Sequence, residues 1–177
     1  MARERAAAEA EIASARWLAA SVLLEHGDSL WNLEAAGVLV ASPGAPEATL
    51  ALDALIHSGI EVATLEAAYV RYRTRDNDAA TALYETALVS SLGTLDRAVA
   101  TFYLGALAER VPDGDLAIDY YGETLSVGGT TYLTDDTLWW LGLLLEERGD
   151  YVAASDAFRH TRHELPQLAL RQPRRDS

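Results

Sequence analysis

Leu138-Trp139-Trp140-Leu141-Gly142-Leu143-Leu144-Leu145, followed by Gly149-Asp150-Tyr151, Ala154, Phe158 and Pro166, decides the fold of this chain. Leu138, Leu141 and Leu145 fall three or four residues apart and so share one stripe of a helix, with Gly142 leaving room for a second helix to approach. Gly149 ends that helix and Asp150 is placed to cap the next, which Tyr151 opens. Ala154 and Phe158 lie one turn apart on the returning helix, small beside large. Pro166 stops it, since proline has no amide hydrogen to give and crowds the preceding turn.

A single hairpin of this kind cannot bury its apolar face alone, so neighbours are required. Leu104-Gly105, Ala117, Tyr121 and Thr124-Leu125 repeat the series, with Thr101 where an aromatic or leucine would lead. Ala67-Ala68, Ala80, Tyr84 and Ala87-Leu88 repeat it again, and Trp31, Ala35, Ala51 and Ala54-Leu55 do so more weakly. The markers Ala54, Ala87, Thr124 and Thr161 recur at intervals of about 33 to 37 residues, against ~34 for a tetratricopeptide unit.

Residues 28–166 therefore resemble the tetratricopeptide repeat (TPR) family. The resemblance implies an all-α, right-handed α-solenoid of antiparallel helix pairs, about nine helices in all. The first unit departs from the pattern, with Glu47 at the small packing position and Ala51 at the bulky one. Helices are expected at 2–25, 28–41, 46–57, 61–74, 77–91, 95–111, 115–126, 135–148 and 151–164, with glycine and proline at the turns between them. The apolar run Gly37–Ser42 also fits a buried strand, but no second β-rich run exists to pair with it. Residues 1–27 are expected to form a capping helix whose bare side a partner or a second copy would cover. The tail 167–177, with Arg171, Arg174 and Arg175, is expected to fray and, as a hypothesis, to fold back on the acidic groove.

Composition narrows the function. The 177 residues are 50% apolar with a formal net charge of −13, no cysteine and no lysine, every basic side chain being arginine or histidine. Phosphate binding needs a basic stripe that scattered arginines do not make, and an anionic membrane would repel such a chain. Disulfide and thiol chemistry are excluded. The opening residues lack the basic start and continuous apolar run of a secretory signal, and no segment is apolar enough to span a bilayer. A cytoplasmic setting is the expectation.

In the TPR family the first helix of each pair lines the concave face, which here implies Val62, Leu65, Tyr69, Tyr72 and Arg73, then Val99, Phe102, Glu109 and Arg110, then Asp136, Trp139, Leu143, Glu146 and Glu147. An aromatic strip with carboxylates at one end suits a protein partner, a peptide or helix with apolar anchors and some basic residues. The same aromatics also fit the core between neighbouring helices, and the sequence does not choose. Trp139 is the better groove candidate, because Trp140 points about 100° away around the helix. The family's carboxylate clamp uses lysines, and this chain has none.

Catalytic constellations are thin. His160, His163 and Glu164 share a helical face, as a divalent-metal site would need, but the last turn of a helix favours cations in any case. Asp113-Gly114-Asp115 resembles a fragment of a calcium loop without its closing glutamate and reads better as a turn into a helix. No phosphate-cradling loop or nucleophile elbow occurs. The expected function is a non-catalytic adaptor without cofactor or metal. The alternatives are a homo-oligomer joined through the N-terminal helix and a small-molecule sensor using Tyr69, Tyr72, Phe102 and Trp139.

Overall fold

The computed structural model describes residues 2–90, 92–111, 113–128 and 131–161. Among these residues the chain is all-α, with nine helices: α1 (Ala2–Glu25), α2 (Trp31–Ala41), α3 (Pro46–His57), α4 (Thr64–Arg73), α5 (Asn77–Val89), α6 (Thr94–Ala108), α7 (Gly114–Gly128), α8 (Thr134–Arg148) and α9 (Tyr151–His160). Each answers to one expected helix, and Gly37–Ala41, the candidate strand, is the end of α2. The expected ends at 91 and 164, Pro166, His163, Glu164 and the basic tail lie outside the described residues.

α5 ends at Val89 rather than 91, α7 at Gly128 rather than 126 and α9 at His160 rather than 164, where Thr161 is extended; three other boundaries differ for clear local reasons. α2 starts at Trp31 rather than 28, because Asp28 Oδ1 accepts from the Leu30 amide at 2.9 Å and holds the chain in a turn. α4 starts at Thr64 rather than 61, since the Ile60 amide is still closing the end of α3 on the Leu55 carbonyl and Ala63 is extended. α6 stops at Ala108 rather than 111, where tight turns from Arg110 and Val111 satisfy the Leu107 and Ala108 carbonyls.

The chain divides into two compact units, residues 1–86 and 87–177, the division falling inside α5. In the first, α1 packs on α2 and α3, α2 on α3, and α3 on α4. Its core joins Ala13 and Ala20 of α1, Trp31, Ala35 and Val38 of α2, Leu52 and Leu55 of α3, and Val70 of α4, with Leu83 of α5 against it. In the second unit α6 packs on α7, α7 on α8 and α8 on α9. Phe102, Ala117, Tyr121, Leu133 and Leu144 form its core, with Trp140 and Leu141 packed on it. Within each unit these contacts run mainly between helices adjacent in sequence.

The returning helices share one start signal. Asp76, Asp113 and Asp150, about 37 residues apart, each accept on Oδ1 from an amide three residues on: Ala79 at 3.4 Å, Leu116 at 3.1 Å and Ala153 at 3.1 Å. These side chains satisfy amides that the first turn of a helix leaves without partners. Asp113 is thereby a helix cap and not part of a cation loop.

A second recurrence sets the distance between paired helices. A Cβ on Gly105 would stand 2.7 Å from the Tyr121 ring, and one on Gly142 would stand 2.5 Å from the Phe158 ring. The glycine of the leading helix is therefore the seat for the aromatic of the returning one. Thr101, the odd residue of its series, is buried, donates to the Arg97 carbonyl at 3.0 Å and accepts from Thr124 Oγ1 at 2.9 Å. A hydroxyl pair thus pins α6 to α7 at the position where the first and last units carry Trp31 and Leu138.

Candidate functional site

The residues expected on the binding face separate by burial. Tyr72 is 6% exposed, Phe102 is fully buried and Asp136 is buried, so none of the three presents a surface to a partner. Phe102 meets Tyr121 at 5.7 Å between ring centroids and belongs to the core of its unit. Periodicity assigned all three to the expected binding face, and the structure buries all three.

The other expected residues retain surface. On α4, Leu65 and Tyr69 are half-buried and Arg73 is exposed. Arg73 Nη1 donates to the Tyr69 hydroxyl at 2.8 Å, and its guanidinium also lies beside Gly44, where an added Cβ would stand 3.2 Å from it. Arg73 therefore borders the α2–α3 turn and a cleft of about 440 Å³ that Glu9, Ser42 and Pro43 also line. In the second unit, Glu109 accepts from the Tyr121 hydroxyl, which ties the end of α6 to α7. Arg110 is half-buried. Trp139 is half-buried with its ring edge-on to Phe158 at 5.4 Å, and Trp140 packs on the core. Leu143 is half-buried, and Glu146 and Glu147 are exposed one turn further on.

Sequence reading missed a groove in the first unit. It lies between α2 and the connection that leads into α4, with Glu66 from the first turn of α4, over the end of α3, and has a volume of about 270 Å³. Leu39 and Leu55 form its buried floor, while Leu33, 65% exposed, and the partly open Val62 line its sides. Glu61 and Glu66 make the rim anionic and Asn32 adds an amide. Only Val62 of this set had been expected. A signal was available: α2 reads Trp-Asn-Leu-Glu-Ala-Ala-Gly-Val-Leu-Val-Ala, apolar around most of its circumference, so one inward stripe cannot bury it all.

Other chemistry finds little support among the described residues. No group of three His, Cys, Asp or Glu side chains is placed to hold a metal ion, and no helix is long and apolar enough to cross a membrane. His160 Nδ1 is engaged with the Asp156 carbonyl of its own helix at 2.7 Å. No protein family, curated protein or solved structure matches this chain.

Proposed function

We propose that this protein is a cytoplasmic, non-catalytic adaptor built of TPR-like helix pairs, which holds a basic peptide or helix with apolar anchors in the groove between α2 and α4. The observation that carries the reading is that groove: an apolar floor with two carboxylates on its rim, between α2, which leads one pair, and the entry to α4, which leads the next. In the TPR architecture, leading helices line the ligand-binding face. The recurring aspartate caps and glycine-on-aromatic contacts support that architecture, although the spacing of about 37 residues is longer than the family's ~34.

Size favours a peptide over a metabolite. A groove of about 270 Å³ falls just below the ~300–1,000 Å³ typical of small-molecule pockets. It accommodates one or two apolar side chains of an extended or helical segment, whose flanking arginine or lysine would meet Glu61 and Glu66. Leu65, Tyr69 and Arg73 extend the same helix beyond the groove. In the second unit Trp139, Leu143, Glu146, Glu109 and Arg110 offer a further stretch of the same character.

Selection of random peptides on the purified protein tests this. Peptides combining leucine, isoleucine or phenylalanine with arginine or lysine should be enriched, and Leu33→Glu should weaken the selected peptides about tenfold or more. Its thermal midpoint should hold, because Leu33 is exposed. Binding that does not discriminate between the native protein and Leu33→Glu would remove the groove as the site.

A further inference from the structure

α1 has two apolar faces, and the fold uses one. Ala13, Ala20 and the half-buried Trp17 turn toward α2 and α3 as part of the core. On the opposite side Ala8, Ile12, Ala15, Ala19 and Val22 are all exposed, Ile12 and Val22 at 47% each, with Leu18 beside them at 65%. Their steps alternate four and three along the chain. That is the spacing of the two core positions of a coiled-coil heptad, the pattern that lets two helices keep one seam in contact over several turns. Three small alanines in the seam allow the partner helix to come close.

We propose that a second copy of this chain docks on this face, the two α1 helices lying parallel about a two-fold axis. Charge selects the occupant. The chain carries −13 overall, so a second copy is repelled from most of its surface. α1 is nearly balanced, with three arginines against four glutamates, so two copies meet little net repulsion along this helix. A basic partner, by contrast, gains more from the acidic groove of α2 and α4 than from this face.

Charge also sets the direction. In a parallel pair, a residue flanking the seam on one helix faces the residue five further on in the other. That places Glu11 against Arg16 of the second copy and Leu18 against the open edge of Leu23, which also packs on the core of its own chain, each twice by symmetry. Arg16 is held on α2, bonded to Glu34 at 3.3 Å and lying over Gly37, but its side chain is partly exposed, so Glu11 of the second copy would share it with Glu34. Glu4 faces Glu9 of the second copy, but Arg5 already sits on Glu9 of its own helix at 3.0 Å.

The pairing is independent of the peptide groove, and the experiment keeps the two apart. Sedimentation equilibrium of the full chain should give the mass of two chains at micromolar concentration. Ile12→Glu with Val22→Glu should halve that mass while helicity and peptide affinity stay unchanged. Because the native chain has no cysteine, Ala8→Cys alone supplies a clean second readout. Under mild oxidation it should link two copies, since parallel helices bring the two positions together, whereas Val40→Cys on the exposed side of α2 should not. A single-chain mass at every concentration overturns the proposal. So does linkage found only when Ala8→Cys chains are mixed with Val22→Cys chains, the signature of antiparallel pairing.

Discussion

At the scale of the residue, two glycines of the same pattern position are not equally sensitive. Replacing either by alanine adds a methyl inside an aromatic ring's contact shell, and overpacking of this kind costs about 1–3 kcal/mol when the ring cannot move. Removing a glycine from a helix interior returns up to about 1 kcal/mol. At Gly105 the facing ring is Tyr121, fully buried, wedged against Phe102 and tethered through its hydroxyl to Glu109. At Gly142 it is Phe158, only half-buried and free of any polar tether. Gly105→Ala should therefore destabilise by roughly 1–2 kcal/mol while Gly142→Ala stays near neutral, as denaturant melts of the two variants would show. Equal losses would mean that both rings are held with equal rigidity.

Helix ends set the element scale. The leading helix α8 ends on Gly149, whose φ of 88° lies in the left-handed region, with the Asp150 amide reaching back to the Leu145 carbonyl. α4 ends in the same way, its Asp76 amide returning to Arg71, but the left-handed position is Arg75 at φ 68°. An L-residue there costs about 1–2 kcal/mol relative to glycine, so Arg75→Gly should raise the thermal midpoint. Asp150→Ala should lower stability by about 1 kcal/mol and speed amide exchange at Ala153 ahead of the rest of α9. These signals explain how much of the fold was legible. Asp76, Asp113 and Asp150, like Ala80, Ala117 and Ala154, act on their own helix or its immediate partner, and that physics is written in local spacing. For Tyr72 and Phe102 the sequence left groove and core open, and Asp136 was expected on the groove; all three are buried, because periodicity fixes a residue's face on its own helix but not what is laid over it. The α2–α4 groove was missed for a related reason. Its walls, Leu33 of α2 and Val62 of the connection into α4, are separated by all of α3, and no periodicity within one helix reports their meeting.

At the scale of the whole molecule, charge links the separate readings and gives each a different sign. With −13 on 177 residues, self-repulsion opposes every compact state of the chain, and added salt relieves it. The screening length falls from about 10 Å at 0.1 M salt to about 3 Å at 1 M. The thermal midpoint should therefore rise with salt, by about 2–4 °C for each kcal/mol of repulsion screened in a chain of this size. Pairing through α1 should strengthen over the same range, because its seam is apolar and the repulsion between two acidic chains is what salt removes. Peptide affinity should move the other way, since the contacts of Glu61 and Glu66 with a basic segment are exposed and screened. One titration with sodium chloride, read by melting, by sedimentation and by peptide anisotropy, separates the three. A peptide affinity that rose with salt would mean that apolar contacts alone hold the ligand and that the acidic rim takes no part. A dimer that weakened with salt would mean that charges across the α1 pair, Glu11 against Arg16 first among them, contribute more to association than the apolar seam does.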